Sequence, residues 1–170
     1  MLSNSVTKLL NEQINKELYS SYLYLDMANY YSDEGLTGFE NWFTVQAQEE
    51  LDHALLFRTY ILNNDQQVQF EGIAKPDFTY DGPRSPLASA LEHEYTVTAS
   101  INNIYAQAYE DKDFRTMQFL DWFVKEQGEE EKNTTDLIKR FDLFAHDAKG
   151  LYNLDQEMAA RVYAPPSLVL

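Results

Sequence analysis

Cysteine is absent from the 170 residues, which excludes disulfides, iron–sulfur clusters, thiolate zinc sites and thiol chemistry and favours neither a reducing nor an oxidising compartment. No stretch approaches the ~18 consecutive apolar residues of a membrane span. The opening Met1-Leu2-Ser3-Asn4-Ser5-Val6-Thr7-Lys8-Leu9-Leu10 lacks a basic region followed by a long apolar one, so the expectation is a cytoplasmic protein with no membrane partner. Positive charge is also scarce, with 13 Lys and Arg against 28 Asp and Glu and a formal net charge of −15. That excess repels nucleic acid and anionic lipid and concentrates divalent cations, although acidity by itself also serves solubility. Hydrophobic residues make up 44% of the chain, enough for one domain, residues 1–170, with a continuous core.

Apolar side chains recur at three- and four-residue steps through four long segments, which predicts an all-α chain. The expected helices span about 4–33, 37–64, 85–110 and 113–146, with breaks at Ser32-Asp33-Glu34-Gly35 and Asp111-Lys112-Asp113. Between the second and third lies a segment with Gly72, Pro76, Gly82, Pro83 and Pro86. A helix of ~26 residues is ~39 Å long and ~20 extended residues reach ~65 Å, so this segment can run the length of a bundle as a crossover. Gly150 ends the fourth pattern, and a short fifth helix is expected at about 152–162, before Pro165-Pro166.

Ligand-type residues interrupt the apolar stripes at repeated intervals. Glu17, Glu50 and His53 are matched at an offset of 77 by Glu94, Gln127 and Glu130. Glu17 and His53 lie 18 residues either side of Gly35, and Glu94 and Glu130 lie 18 either side of Lys112. In antiparallel helices such positions share one height, so two packed hairpins gather four carboxylates, an imidazole and an amide in one core layer. Uncompensated charge there is too costly to tolerate, and a multivalent cation removes the cost. Carboxylate oxygen with imidazole nitrogen suits Fe(II), Mn(II) or Zn(II), iron first. Glu50-x-x-His53 opposite Glu17 and Glu94 is the arrangement of carboxylate-bridged di-iron bundles. The fourth helix has Gln127-x-x-Glu130 instead of a second Glu-x-x-His, so the two ion positions are expected to be unequal.

Asn11-Glu12-Gln13 through Glu17-Leu18-Tyr19-Ser20-Ser21, Ala47-Gln48-Glu49-Glu50-x-x-His53 and Glu126-Gln127-Gly128-Glu129-Glu130-Glu131 together resemble a prokaryotic non-haem ferritin over nearly the whole chain. The resemblance implies a ferritin-like four-helix bundle with one long crossover and a short C-terminal fifth helix. It implies that Glu17, Glu50 and His53 hold a first iron, that Glu50, Glu94 and Glu130 hold a second, and that Gln127 borders the pair. It maps a third iron position onto Glu49, Glu126, Glu129 and Glu130, sets Tyr24 beside the centre as a hydrogen-bonding or one-electron residue, and places Trp122 nearby. The implied function is iron storage: a ferroxidase oxidises Fe(II) with O2 or H2O2, and the ferric product is kept as mineral inside a homo-oligomeric shell of 24 subunits.

Some positions depart from the family pattern. Leu51 stands where bacterioferritins carry an axial methionine, so haem is not expected. Gly128 replaces a histidine common in bacterial relatives. Met117 and Leu120 fall near the acidic entry ring of animal ferritins, leaving Asp111, Asp113 and Asp121 as candidates for iron entry. Three rivals make other demands. A DNA-protecting mini-ferritin calls for interface ligands and a basic tail, where this chain has Leu168-Val169-Leu170. A rubrerythrin-like peroxidase calls for cysteine-bound iron, and a metal-free structural module calls for no iron oxidation at all.

Overall fold

The computed structural model describes residues 2–170, which form five α-helices and, among the described residues, no strand. They are α1 (Asn4–Asp33), α2 (Thr37–Asn63), α3 (Ser85–Glu110), α4 (Phe114–Phe144) and α5 (Ala148–Met158). Among the described residues, no helix is long and apolar enough to cross a membrane.

The helix starts have local chemical reasons, side-chain caps at most of them and a proline at α3. Ser3 Oγ accepts from Val6 N at 3.1 Å, Asp113 accepts from Thr116 N at 3.1 Å, and Pro86 sits in the first turn of α3, where no intrahelical donor is missed. α2 has no cap from its own flank; Asp155 of α5 supplies it, its Oδ1 accepting from Gly38 N at 2.8 Å and Phe39 N at 3.0 Å. A Cβ on Gly38 would lie 1.7 Å from the Asp155 carbonyl oxygen, so glycine lets α5 dock this closely. The first three helices end in one backbone motif. Leu36 N bonds Tyr31 O, Gln66 N bonds Ile61 O and Asp113 N bonds Ala108 O, with Gly35, Asp65 and Lys112 in the left-handed conformation.

α1–α2 and α3–α4 are antiparallel hairpins, α1 also packs on α3, and α5 closes one end against α2 and α4. The crossover, 64–84, runs along α1. Gln69 N donates to Asn11 Oδ1 at 2.7 Å near one end, Tyr80 donates to Asp26 at 3.1 Å, and Tyr31 donates to Pro83 O at 2.6 Å near the other. It therefore returns the chain to the end where α2 began, and α3 runs parallel to α2.

The fifth helix differs from the sequence expectation. It spans 148–158 rather than about 152–162, and α4 ends at Phe144 rather than 146. Gly150 lies inside α5, in its first turn. Asp147 caps the helix through Gly150 N at 2.8 Å, and a Cβ on Gly150 would sit 1.7 Å from Phe144 O, so this glycine serves a close approach and not a termination.

The apolar core is divided in two. One cluster holds Val6, Leu10, Ile14, Phe57, Ile61, Ile101, Leu120 and Phe123, and the other holds Leu23, Met27, Tyr31, Phe39, Phe43, Leu87, Leu137 and Leu154. Between them the buried side chains are polar: Gln13, Glu17, Ser20, Gln46, Glu50, His53, Glu94, Gln127 and Glu130.

Candidate metal centre

Four carboxylates, Glu17, Glu50, Glu94 and Glu130, are each no more than 5% exposed. Each long helix contributes one. Among the described residues, Glu17, Glu50 and His53 are the only three metal-ligating side chains whose donor atoms lie within 4.8 Å of one another. His53 Nδ1 is 3.5 Å from Glu50 Oε2, and its ring packs edge-on against both Trp122 and Phe123, which restricts its rotation.

Two amides hold the first set. Gln13 Nε2 donates to Glu17 Oε1 at 2.8 Å, and Gln13 is held in turn by Ser100 at 2.6 Å. Gln46 Nε2 donates both to Glu50 Oε1 at 3.1 Å and to Glu130 Oε2 at 2.9 Å, linking the hairpins. Glu17 Oε2 is buried and accepts no hydrogen bond. A buried carboxylate oxygen without a donor is costly unless a cation faces it, and in this it fits a metal ligand.

The second set is arranged otherwise. Glu94 accepts from the Tyr24 hydroxyl and from Gln127 Nε2 at 3.0 Å. The carboxylates of Glu50, Glu94 and Glu130 do not meet at one point as the first set does; Gln46 and Gln127 tie them in place.

Burial holds the carboxyl of Glu17 well above the ordinary range, and the Glu50 charge adds to it. Burial and then the Glu94 charge do the same to Glu50, and burial with the Glu94 and Glu50 charges to Glu130. Glu94 is raised by burial and pulled back by the bonds from Tyr24 and Gln127. Burial, together with the neighbouring Glu94, pushes the Tyr24 phenol well up, so the phenol stays protonated and donating.

Glu49, Glu126 and Glu129 lie on the outer side of this layer and are less tightly grouped. Glu49 and Glu126 line a cavity of about 250 Å³ together with His53 and Trp122, whereas Glu129 lies toward solvent, 3.3 Å from Lys125. No three of Glu49, Glu126, Glu129 and Glu130 bring donor atoms within 4.8 Å. The acids considered for iron entry have local duties: Asp113 caps α4, Asp111 accepts from Ser3 at 2.5 Å, and Asp121 accepts from Tyr105 at 3.0 Å. Gly128 has open space around it, and nothing in the structure explains why it is glycine.

Gln13 and Gln46 are the site residues that sequence reading did not single out. Each stands four residues before a ligand-type glutamate on the same helical face, a spacing at which an amide reaches a carboxylate.

A ferritin family model, described as a ferritin-like domain, matches residues 7–144. The bacterial non-heme ferritin of Campylobacter jejuni is 36% identical over 156 residues, covering 92% of this chain and 93% of the relative. A probable bacterial non-heme ferritin-like protein of Haemophilus influenzae is 34% identical over 158 residues, covering 93% and 96%. A solved structure of Archaeoglobus fulgidus ferritin, engineered to a closed form by site-directed mutagenesis, superposes with a TM-score of 0.94 at 38% identity and covers 96% of this chain and 100% of that one.

Proposed function

The chain belongs to the ferritin family, and on that footing we propose that it stores iron, oxidising Fe(II) to Fe(III) at a two-ion ferroxidase centre inside each subunit. The observation that carries this reading is the buried layer of Glu17, Glu50, Glu94 and Glu130 around His53, with Glu17 Oε2 undonated. Four carboxylates bring four negative charges and two divalent ions bring four positive ones. Such a pair offsets a burial cost that the protein's own charges relieve only in part.

Glu17, Glu50 and His53 hold the first Fe(II). Glu50, Glu94 and Glu130 hold the second, Glu50 is shared, and Gln127 borders the pair. As the ions bind, the carboxyls release the protons that burial favours. Two Fe(II) supply two electrons, which with two protons convert H2O2 to two waters or O2 to H2O2. The protein's part is to hold the donors at one height and to exclude bulk water. Tyr24 donates to Glu94 and serves as a hydrogen-bonding residue of the centre or as the source of one electron during oxygen reduction, in place of an electron from iron. Glu49, Glu126, Glu129 and Glu130 form a looser third position. The ferric product is kept as mineral inside a homo-oligomeric shell of 24 copies. Exposed Tyr22, Leu25, Phe70, Ile73 and Phe78 on α1 and the crossover support association, since a lone subunit does not keep such side chains in water without consequence.

Anaerobic Fe(II) titration and stopped-flow absorbance test the centre, and light scattering tests the shell. Two tight ions per subunit and a rapid oxygen-dependent transient are expected, and Glu94→Ala is expected to fold yet lose most of that transient. An unchanged transient in Glu94→Ala would remove the assignment.

A further inference from the structure

The segment after α5 turns back along the α2–α4 face of the bundle. Asn41 Nδ2 donates to the Arg161 carbonyl at 3.0 Å, the Tyr163 hydroxyl donates to Asp52 Oδ2 at 2.5 Å, and Trp122 Nε1 donates to Ser167 Oγ at 2.9 Å. Ala164, Pro165, Pro166 and Ser167 thereby cover the cavity of about 250 Å³ onto which Glu49, His53 and Glu126 open. The imidazole of the centre and two glutamates of the third position share one chamber, and this strap is its cover.

Arg161 fastens the strap. Its guanidinium lies 4.3 Å from the centre of the Trp42 ring, donates to Trp42 O at 3.2 Å and donates to Glu49 Oε2 at 2.5 Å. The two side chains of that ion pair are 21% and 20% exposed, so the pair is better shielded than an ordinary surface bridge. A carboxylate whose charge is already shared with a guanidinium offers less of that charge to an ion.

We propose that Arg161 is a tethered competitor for the third ion: its guanidinium neutralises Glu49 until a divalent cation takes that carboxylate, which releases Arg161 and loosens the 159–167 strap over the chamber. The proposal rests on the third position assigned above. Ion and guanidinium draw on the charge of the same carboxylate, so each weakens the other's hold by the same factor. Arg161 is in this sense a positioning residue for the outer end of the centre. A purely structural anchor would stay on Glu49 whatever the ion loading.

The test uses the assembled full-length protein and Zn(II), which binds without redox chemistry. Calorimetry counts ions and affinities, and Trp42 emission in a Trp122→Phe background reports the guanidinium stacked on that ring. Arg161→Gln is expected to bind the third Zn(II) about tenfold more tightly, the scale of one charge-assisted hydrogen bond, with the first two unchanged. Trp42 emission is expected to change only as the third equivalent binds, and not at all when Arg161→Gln is added. A third-ion affinity untouched by Arg161→Gln, or a flat Trp42 signal, overturns the competitor. Glu49→Gln separates the two readings. Loss of the third ion there, with Arg161→Gln behaving as wild type, leaves the third position standing and discards only the competitor; three ions retained in Glu49→Gln discards both.

Discussion

In the α1–α2 hairpin, Gln13 and Gln46 each donate to the glutamate four residues on, and Glu17 keeps one buried oxygen without a donor. In the α3–α4 hairpin, Glu94 already accepts from Tyr24 and Gln127, and Glu130 accepts from Gln46 across the bundle. The two hairpins repeat the same intervals, yet one presents donors converged within 4.8 Å and the other presents carboxylates occupied by protein hydrogen bonds. On the proposed two-ion centre, the first ion is expected in the α1–α2 set, where Glu17 has an oxygen without a donor, and the second is expected to bind later and more weakly, because Glu94 and Glu130 already accept protein hydrogen bonds.

The largest expected effect comes from Glu50, the residue that both positions share in the proposed centre. Glu50→Ala should slow the rapid phase of Fe(II) oxidation by about a hundredfold or more and abolish tight binding of both ions, taking the upper end of metal-site substitutions as the scale. Glu94→Ala should leave one tight ion and remove the second. Anaerobic titration of the two variants checks this, and the comparison fails if Glu94→Ala loses the first ion while keeping the second.

Tyr24→Phe sharpens the contrast with a smaller change. It removes a competing donor from Glu94, so the second ion should bind a few-fold more tightly, since one hydrogen bond to a charged group is at stake. Rapid oxidation should slow despite the tighter binding if the phenol supplies an electron. Second-ion affinity that falls would show the phenol to be a support of Glu94 and not a competitor.

The repeat at 77 residues made the height of the layer legible in the sequence, because helical geometry turns equal distances from a turn into equal depth. The four stripes were legible for the same reason, and the helices α1 to α4 begin and end within two residues of their expected limits. What escaped is non-local. Gly150 reads as a terminator when only its neighbours are considered; its role depends on Phe144 O packing against it. Asp155 caps α2 across 117 residues, and Arg161 reaches Glu49 across 112. No periodicity encodes such pairs. The third position came from the family resemblance alone, and sequence does not reveal that Arg161 and Lys125 already sit on two of its glutamates, Glu49 and Glu129.

Metal-free protein tests the cost of the layer. Folded carboxyls raised above their unfolded values hold protons that the unfolded chain has lost, so stability is fully present below the ordinary carboxylate range and declines as pH rises through the elevated folded values. The thermal midpoint without metal should therefore fall between pH 5 and 8, on the order of several degrees, and saturating Zn(II) should restore it. Glu17→Gln, which deletes the charge whose oxygen has no donor, should raise the metal-free midpoint at pH 8 and flatten the slope. A midpoint that climbs with pH contradicts the burial argument.

The smallest effect compares the two hairpin turns. Gly35 and Lys112 occupy the same left-handed position of the same closing motif, at φ of 74° and 55°, and their following residues make the same backbone bond. A side chain in that conformation costs roughly 1–2 kcal/mol, of which the extra freedom a glycine brings to the unfolded chain takes back about 0.4–1 kcal/mol. Lys112→Gly should therefore stabilise the protein by about 0.5–1 kcal/mol, and Gly35→Ala should destabilise it by a similar amount. With two divalent ions bound at the centre in both variants, calorimetric midpoints should move about 2–4 °C per kcal/mol in opposite directions. Gly35 has nothing within 4 Å of its would-be Cβ, so the loss there would be conformational and not steric. Equal and opposite shifts would mean the hairpins share a turn and differ in their ligand chemistry, whereas a neutral Gly35→Ala would make the first turn the softer of the two.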